Sequence, residues 1–160
     1  MSEMALLMAT MAVKKECKVL LLGSGESGKS TIFKVMKIMY QGGFTPQERD
    51  SYHGTIYKNI LDSARAIAFM MWKTGIQCGS ESTQALADRI LDYRIERVDE
   101  VLLPDIANAI HLFYQDDTIL QLLEEHSSEF YLMDNAFYFF AEVLCIGVPG
   151  YRPTEMDILL

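Results

Sequence analysis

Cysteine is scarce in this chain: Cys17, Cys78 and Cys145 are odd in number and show no C-x-x-C spacing. A disulfide framework is therefore not indicated, and with no histidine placed to complete a ligand set, neither is a zinc site. A reducing, cytoplasmic setting fits these thiols best. His53, His111 and His126 have no nucleophile or metal-ligand partner nearby in sequence and are expected in core or surface roles. A long apolar run is missing as well. Met4 to Val13 is almost wholly apolar, but it is too short to cross a bilayer. Glu3 stands where a secretory leader wants positive charge, and Lys14 and Lys15 follow. No transmembrane segment is expected. Positive charge is also in deficit, the formal net charge being −8. Residues 1–41 hold six lysines against three glutamates, whereas 42–160 hold eight basic against nineteen acidic residues. The acidic part argues against a nucleic-acid partner, and the basic part suits an anionic ligand.

What is present is a phosphate-binding loop. Gly23 to Ser30 reads Gly-Ser-Gly-Glu-Ser-Gly-Lys-Ser, a complete G-x-x-x-x-G-K-[ST] motif. Val19 to Leu22 is an unbroken apolar run ending at Gly23, which predicts a strand buried on both faces of a parallel sheet. A helix is expected from near Lys29 to about Tyr40. Gly23, Gly25 and Gly28 permit the tight wrap that turns several N–H groups toward one anion, and the helix N-terminus adds partial positive charge. Lys29 would reach the terminal phosphates, Ser30 would be the protein ligand of Mg²⁺, and the Thr31 N–H would meet the innermost phosphate. A glycine-rich turn that merely caps a helix is the bland alternative. It does not explain strand, loop, Lys-Ser and helix all in register. Glu26 is the odd member, since a carboxylate beside a polyphosphate needs a cation to hold it away.

The rest of the sequence reads as helices. Gly42 and Gly43 break the first one, and Thr45-Pro46-Gln47-Glu48 starts another with a capping box and a proline at the first helical position. Tyr52, Ile56, Ile60, Ala64, Ile67 and Met71 recur at helical spacing over several turns, as in the central helix of a bundle. Trp72 to Ser82 reads as a loop. Ala85, Ile90, Leu91 and Ile95 suggest short helical pieces, and Pro104 opens a helix with the stripe Ile106, Ile110, Leu112 and Phe113. After a break at Asp116-Asp117, the residues Ile119, Leu120, Leu122 and Leu123 continue in a further helix that Ser127 and Ser128 end. Asp134 reads as the N-cap of a last helix through Phe137, Phe140, Val143 and Leu144, closed by Gly147, Pro149 and Gly150. By residue type Asp134 can be a cap, a neighbour of a ligand, or both.

The string Lys18 to Thr31, followed by Lys34 and Met36-Lys37-Ile38, closely resembles the alpha subunit of heterotrimeric G proteins. Tyr151-Arg152-Pro153-Thr154-Glu155-Met156-Asp157-Ile158-Leu159 is similar to that family's Tyr-x-Pro-Thr-x-x-Asp-(Ile/Val)-Leu segment. The resemblance covers roughly residues 17–160. It implies an α/β P-loop, Ras-like fragment with an inserted all-α helical domain, mostly helical in this chain. The expected division is a short N-terminal segment at 1–16, strand, loop and first helix at 17–41, the helical domain at 44–150, and the start of a return linker at 151–160. The resemblance further implies that Glu26, Ser27, Gly28, Lys29, Ser30 and Thr31 contact GTP or GDP, with Ser30 on Mg²⁺. Asp134 and Asn135 would face the nucleotide from the helical domain, and Leu159 would pass near it.

In function the resemblance implies a guanine-nucleotide-binding transducer of G-protein-coupled receptor signalling. Its partners would be a beta–gamma dimer and a receptor at the cytoplasmic face of the plasma membrane. The family is a GTPase. Yet the Asp-x-x-Gly motif, the catalytic arginine, the glutamine that orients water and the guanine-reading Asn-Lys-x-Asp motif do not occur in these 160 residues. Glu26 thereby lacks the arginine it would pair with. The chain is therefore expected to be truncated before the switch regions and inactive alone. Ser2 stands where N-myristoylation needs glycine, and Val35 stands where the family typically has glutamine. The alternative is an isolated helical interaction module that binds nucleotide weakly or not at all. Another P-loop enzyme, an ATPase or small-molecule kinase, would have to account for the 107 residues of helical insertion from Phe44 to Gly150.

Overall fold

Helices begin and end where local capping chemistry puts them. The computed structural model describes residues 18–25, 27–76, 81–94, 101–126 and 128–160. The expectations placed on Met4 to Val13, Cys17, Glu26, Cys78, Ile95 and Ser127 lie outside the described residues. Helix α1, Lys29–Gln41, stops at Gly42 and Gly43, whose φ angles of 77° and 83° are left-handed. The Gly43 N–H closes back onto the Lys37 carbonyl at 3.3 Å, satisfying an acceptor the helix end would leave open. Helix α2, Pro46–Asp50, carries the expected box: Thr45 Oγ1 accepts from the Glu48 N–H, and Glu48 Oε2 accepts from the Thr45 N–H. It ends after one turn and does not run into the long helix. The Ser51 hydroxyl donates to the Glu48 carbonyl at 2.6 Å, and the Tyr52 N–H closes onto Arg49, a tighter i−3 turn.

Helix α3, His53–Thr74, is the 22-residue axis of the body and is ended by left-handed Gly75. Around it stand α4 (Glu81–Asp92), α5 (Pro104–Tyr114), α6 (Asp117–His126) and α7 (Ala136–Ile146). The stretch expected as short pieces after Ser82 is one continuous helix, α4. Pro104 occupies the first turn of α5, and Asp116 precedes α6, where its Oδ1 accepts from the Thr118 N–H at 2.9 Å. Asp116 Oδ2 also accepts from the Thr83 hydroxyl at 2.7 Å, tying that break to α4.

The core lies between these helices. Ile56, Ile60, Ala64, Ile67 and Met71 of α3 are buried, as periodicity predicts, against Ile106, Ile110 and Phe113 of α5 and Phe139, Phe140 and Val143 of α7. Each fully buried large side chain contributes about 1.5–3 kcal/mol. Some expected core positions face water instead: Leu112, Leu120, Phe137 and Leu144 are exposed. The buried stripe of α7 is Ala136, Phe139, Phe140, Val143 and Ile146, the spacing that keeps one face toward α3 and α5. Gly147 lets α5 approach closely. A Cβ there would stand 2.4 Å from that of Ala107.

Two further sequence expectations fail. Val19 to Leu22 is not a strand; among the described residues no strand forms, and Val19, Leu20 and Leu22 are 66%, 78% and 82% exposed. A lone strand has no ladder to complete, so its backbone groups stay in water. Asp134 does not cap α7. Asn135 holds the cap position without a side-chain cap bond, while exposed Asp134 lies in the preceding turn, closed by the Ala136 N–H on the Met133 carbonyl at 2.9 Å.

Candidate functional site

The Gly23–Ser30 loop depends on glycine at two points. Gly28, φ 78°, precedes α1 as its N-cap and has no side chain with which to cap it. A Cβ at Gly23 would stand 2.5 Å from Ser27 Oγ. The first intrahelical bond runs from the Ile32 N–H to the Gly28 carbonyl at 2.9 Å, so the amides of Lys29, Ser30 and Thr31 precede the ladder. No acidic residue sits in this first turn. Among the described residues, the positive end of the helix dipole therefore meets no carboxylate in its own first turn.

Lys29 curls over this loop. Its Nζ donates to the Gly23 carbonyl at 2.9 Å, to Ser27 Oγ at 2.8 Å and to the Ser24 carbonyl. The ammonium thus stands at the centre of the turn, where an anion held by the amides would meet it. Ser30 and Thr31 follow on the exposed first turn. Ser27, Gly28, Lys29, Ser30 and Thr31 are brought together; Glu26 lies outside the described residues.

Asp134, Asn135 and Leu159 belong to a second group. Helix α8, Glu155–Leu159, is started by a capping box in which Thr154 Oγ1 accepts from the Asp157 N–H and Asp157 Oδ2 accepts from the Thr154 N–H. At its end, Asn135 Nδ2 donates to the Leu160 carbonyl at 2.6 Å, bringing Asn135 beside the residue that follows Leu159. Asn135 Oδ1 is buried with no hydrogen-bond partner among the described residues. The two groups are joined through α8, which packs on α1: Lys34 Nζ donates to the Ile158 carbonyl at 2.6 Å. Burial lowers the pKa of Lys34, whose ammonium also lies 5.6 Å from the centre of the Tyr52 ring. One turn on, Lys37 pairs with Glu48 and lies 5.1 Å from the Phe44 ring centre. That lysine, with the Thr45 amide and hydroxyl, holds the Glu48 carboxyl down to about 2.

A family model for the G-protein alpha subunit matches residues 3–160. The chain belongs to the G-protein alpha subunit family. It is 48% identical over 147 residues to a guanine nucleotide-binding protein subunit alpha of Cryptococcus neoformans, covering 91% of this chain and 34% of that relative. It is 44% identical over 149 residues to the guanine nucleotide-binding protein alpha-3 subunit of Neurospora crassa, covering 92% of this chain and 42% of that one. A Mycosarcoma maydis alpha-3 subunit is 44% identical over 147 residues, covering 91% and 41%. The chain spans about two-fifths or less of the length of these curated relatives.

In this alpha-subunit chain, sequence reasoning missed what holds the second group in place. Asp157 is 4% exposed, and besides its cap bonds it accepts from the Tyr138 hydroxyl at 2.7 Å and the Tyr151 hydroxyl at 2.9 Å. The Thr154-x-x-Asp157 spacing is a capping signal that could have been read. The tyrosines could not, because α7 and the segment after it meet Asp157 only in three dimensions. Two of the histidines make structural contacts: His53 Nε2 meets the Tyr151 carbonyl at 2.9 Å and His126 Nδ1 meets Glu129 at 2.7 Å. Cys145 is an exposed free thiol. Among the described residues no helix is long and apolar enough to cross a membrane.

Proposed function

We propose that residues 23–31 bind the phosphates of GDP or GTP, with Asp134, Asn135 and Leu159 approaching the nucleotide from the helical side. The observation that carries this reading is the Lys29 ammonium held over the Gly23–Gly28 turn, at the uncapped N-terminus of α1. A phosphate would replace the carbonyls as the partner of Lys29 and receive the amides of the first turn. Among the described residues no cluster of three acidic, histidine or cysteine side chains could hold a metal by itself. The Ser30 hydroxyl, on the exposed first turn beside Lys29, would be a single protein ligand of Mg²⁺, the other positions taken by phosphate oxygens and water. The ion would neutralise charge between the phosphates.

The proposed setting is that of the family: a Ras-like domain interrupted by a helical domain at 44–150, transducing receptor signals with a beta–gamma partner at the cytoplasmic membrane face. Residues 1–160 contain no Asn-Lys-x-Asp motif and no water-orienting glutamine motif, so the reading assigns them phosphate and magnesium binding and not hydrolysis. A second reading, a helical interaction module with weak or absent nucleotide binding, is favoured by one observation. The run from Val19 to Leu22 is exposed and unladdered, so the loop is anchored on one side only. Calorimetric titration of the chain with Mg·GDP, Mg·GTP and Mg·ATP separates the two. Saturable Mg-dependent binding supports the first reading, and no heat at millimolar nucleotide supports the second.

A further inference from the structure

The two stretches of chain that lead into and out of the helical body, 44–53 and 151–155, run antiparallel and are tied in register. His53 contacts the Tyr151 carbonyl at 2.9 Å, Asp50 pairs with Arg152 at 3.2 Å, and Arg49 reaches Pro153 and Glu155. As numbers fall on one stretch they rise on the other. Arg49 makes the densest of these ties. Its Nε donates to the Phe44 carbonyl at 3.2 Å, one Nη to the Pro153 carbonyl at 3.4 Å, and the other Nη to Glu155 Oε1 at 3.1 Å. The three acceptors lie in different directions, which suits the fixed planar fork of a guanidinium and not the single point of an ammonium. Glu155 opens α8, and α8 presents Ile158 to Lys34 of α1 and carries Leu159.

We propose that Arg49 is a positioning residue for the nucleotide site: its guanidinium sets the register of α8 against α1, and so where Leu159 stands relative to the phosphate loop. The inference rests on the proposed nucleotide reading for its functional half only. Half-exposed ion pairs add little stability, so the role of Arg49 is register and not strength. None of the core side chains of α3, α5 and α7 takes part in the tie.

The test compares wild type, Arg49→Ala and Arg49→Lys with Ile119→Val, a core variant that lowers stability without touching the tie. Amide hydrogen exchange is followed at Ile158 and Leu160, with α3 amides as reference, and Mg·GDP is titrated by calorimetry. Arg49→Ala and Arg49→Lys are expected to raise exchange at Ile158 and Leu160 tenfold or more with α3 unchanged, and to weaken Mg·GDP at least fivefold. Ile119→Val should do neither. Unchanged exchange in Arg49→Ala, or full retention in Arg49→Lys, overturns the register role. Faster exchange with unaltered Mg·GDP affinity overturns the link to the site. Failure of the wild type to bind Mg·GDP removes the nucleotide reading and that link together, while exchange still decides the register role.

Discussion

The Tyr138 hydroxyl donates to Asp157 Oδ1 at 2.7 Å, joining α7 to a carboxylate 19 residues further along the chain. Asp157 Oδ2 meanwhile accepts from the Thr154 amide and hydroxyl, each at 2.7 Å, and from the Tyr151 hydroxyl at 2.9 Å. Burial alone would raise the pKa of this carboxyl. The bonds from Thr154, Tyr138 and Tyr151 outweigh burial and hold it below the ordinary carboxylate range. Burial and the same carboxylate push the Tyr138 hydroxyl up to about 12 and raise that of Tyr151 as well.

Asp157→Asn keeps the shape but sets an NH₂ group against donors, leaving at least one buried polar group unmatched. The expected loss is about 1–3 kcal/mol in urea unfolding at pH 7. The pH dependence follows from the sign of the shift. Because the folded pKa lies below the unfolded value of about 3.9, the stabilisation is complete above that value and is lost as pH falls through the folded pKa. Unfolding curves between pH 6 and pH 2 should therefore steepen below about pH 4 in wild type. In Asp157→Asn this part of the slope should vanish; an identical slope in both proteins would refute the assignment.

Gly147→Ala tests the close approach of α5 and α7. The backbone there, φ −78°, accepts any residue, so the effect comes from the Cβ meeting Ala107. Overpacking of this kind costs about 1–3 kcal/mol. Adding Ala107→Gly should restore part of the loss, because the two sites share one contact. Simple additivity in thermal unfolding would show that the helices do not meet at this point.

The helix caps show which structural features were legible in the sequence. Thr45-Pro46-Gln47-Glu48, Pro104, Gly42 and Gly147 act through neighbours within five residues, and the structure puts helix ends at each. Leu112, Phe137 and Leu144 misled because an apolar side chain one step off the stripe still fits a 3.6 period. The Val19 to Leu22 run has strand composition, but a strand exists only with a partner. Lys29 and Gly28 were readable as members of one loop because the motif is contiguous, and the structure does gather Lys29 onto Gly23 and Ser27. The ties of Arg49 were not readable, since the Pro153 and Glu155 acceptors lie 104 and 106 residues from it, and of the Asp157 bonds only the cap was readable, Tyr138 lying 19 residues away.

Caps that form and caps that do not should separate in stability. Thr45→Ala removes the acceptor of the Glu48 amide and the hydroxyl's own bond to Glu48 Oε2, while the backbone bond of the box stays, and is expected to cost about 0.5–2 kcal/mol. Asp134→Ala removes an exposed side chain that caps nothing, and should fall within about 0.5 kcal/mol of wild type. Urea unfolding of both variants at pH 7 ranks them; a larger loss in Asp134→Ala would return Asp134 to the cap position.

Lys29 offers the sharpest separation of binding from folding. Its three acceptors, the Gly23 and Ser24 carbonyls and the Ser27 hydroxyl, lie on an exposed loop, where water replaces a lost donor at little cost. None of the α1 side chains is fully buried, so the α3–α7 core does not depend on this turn. Lys29→Met should therefore leave the melting temperature without nucleotide within about 2 °C of wild type. A ligand that binds only the folded chain stabilises it by RT ln(1 + [L]/Kd), about 2.7 kcal/mol at one hundred times Kd. Wild type should show that rise with Mg·GDP. Lys29→Met should lose it, because amides and helix dipole alone face a doubly charged terminal phosphate. Ser30→Ala should keep a rise in GDP without metal and lose the extra increment that Mg²⁺ adds. An equal rise in wild type and Lys29→Met would mean that nucleotide binds elsewhere on the chain.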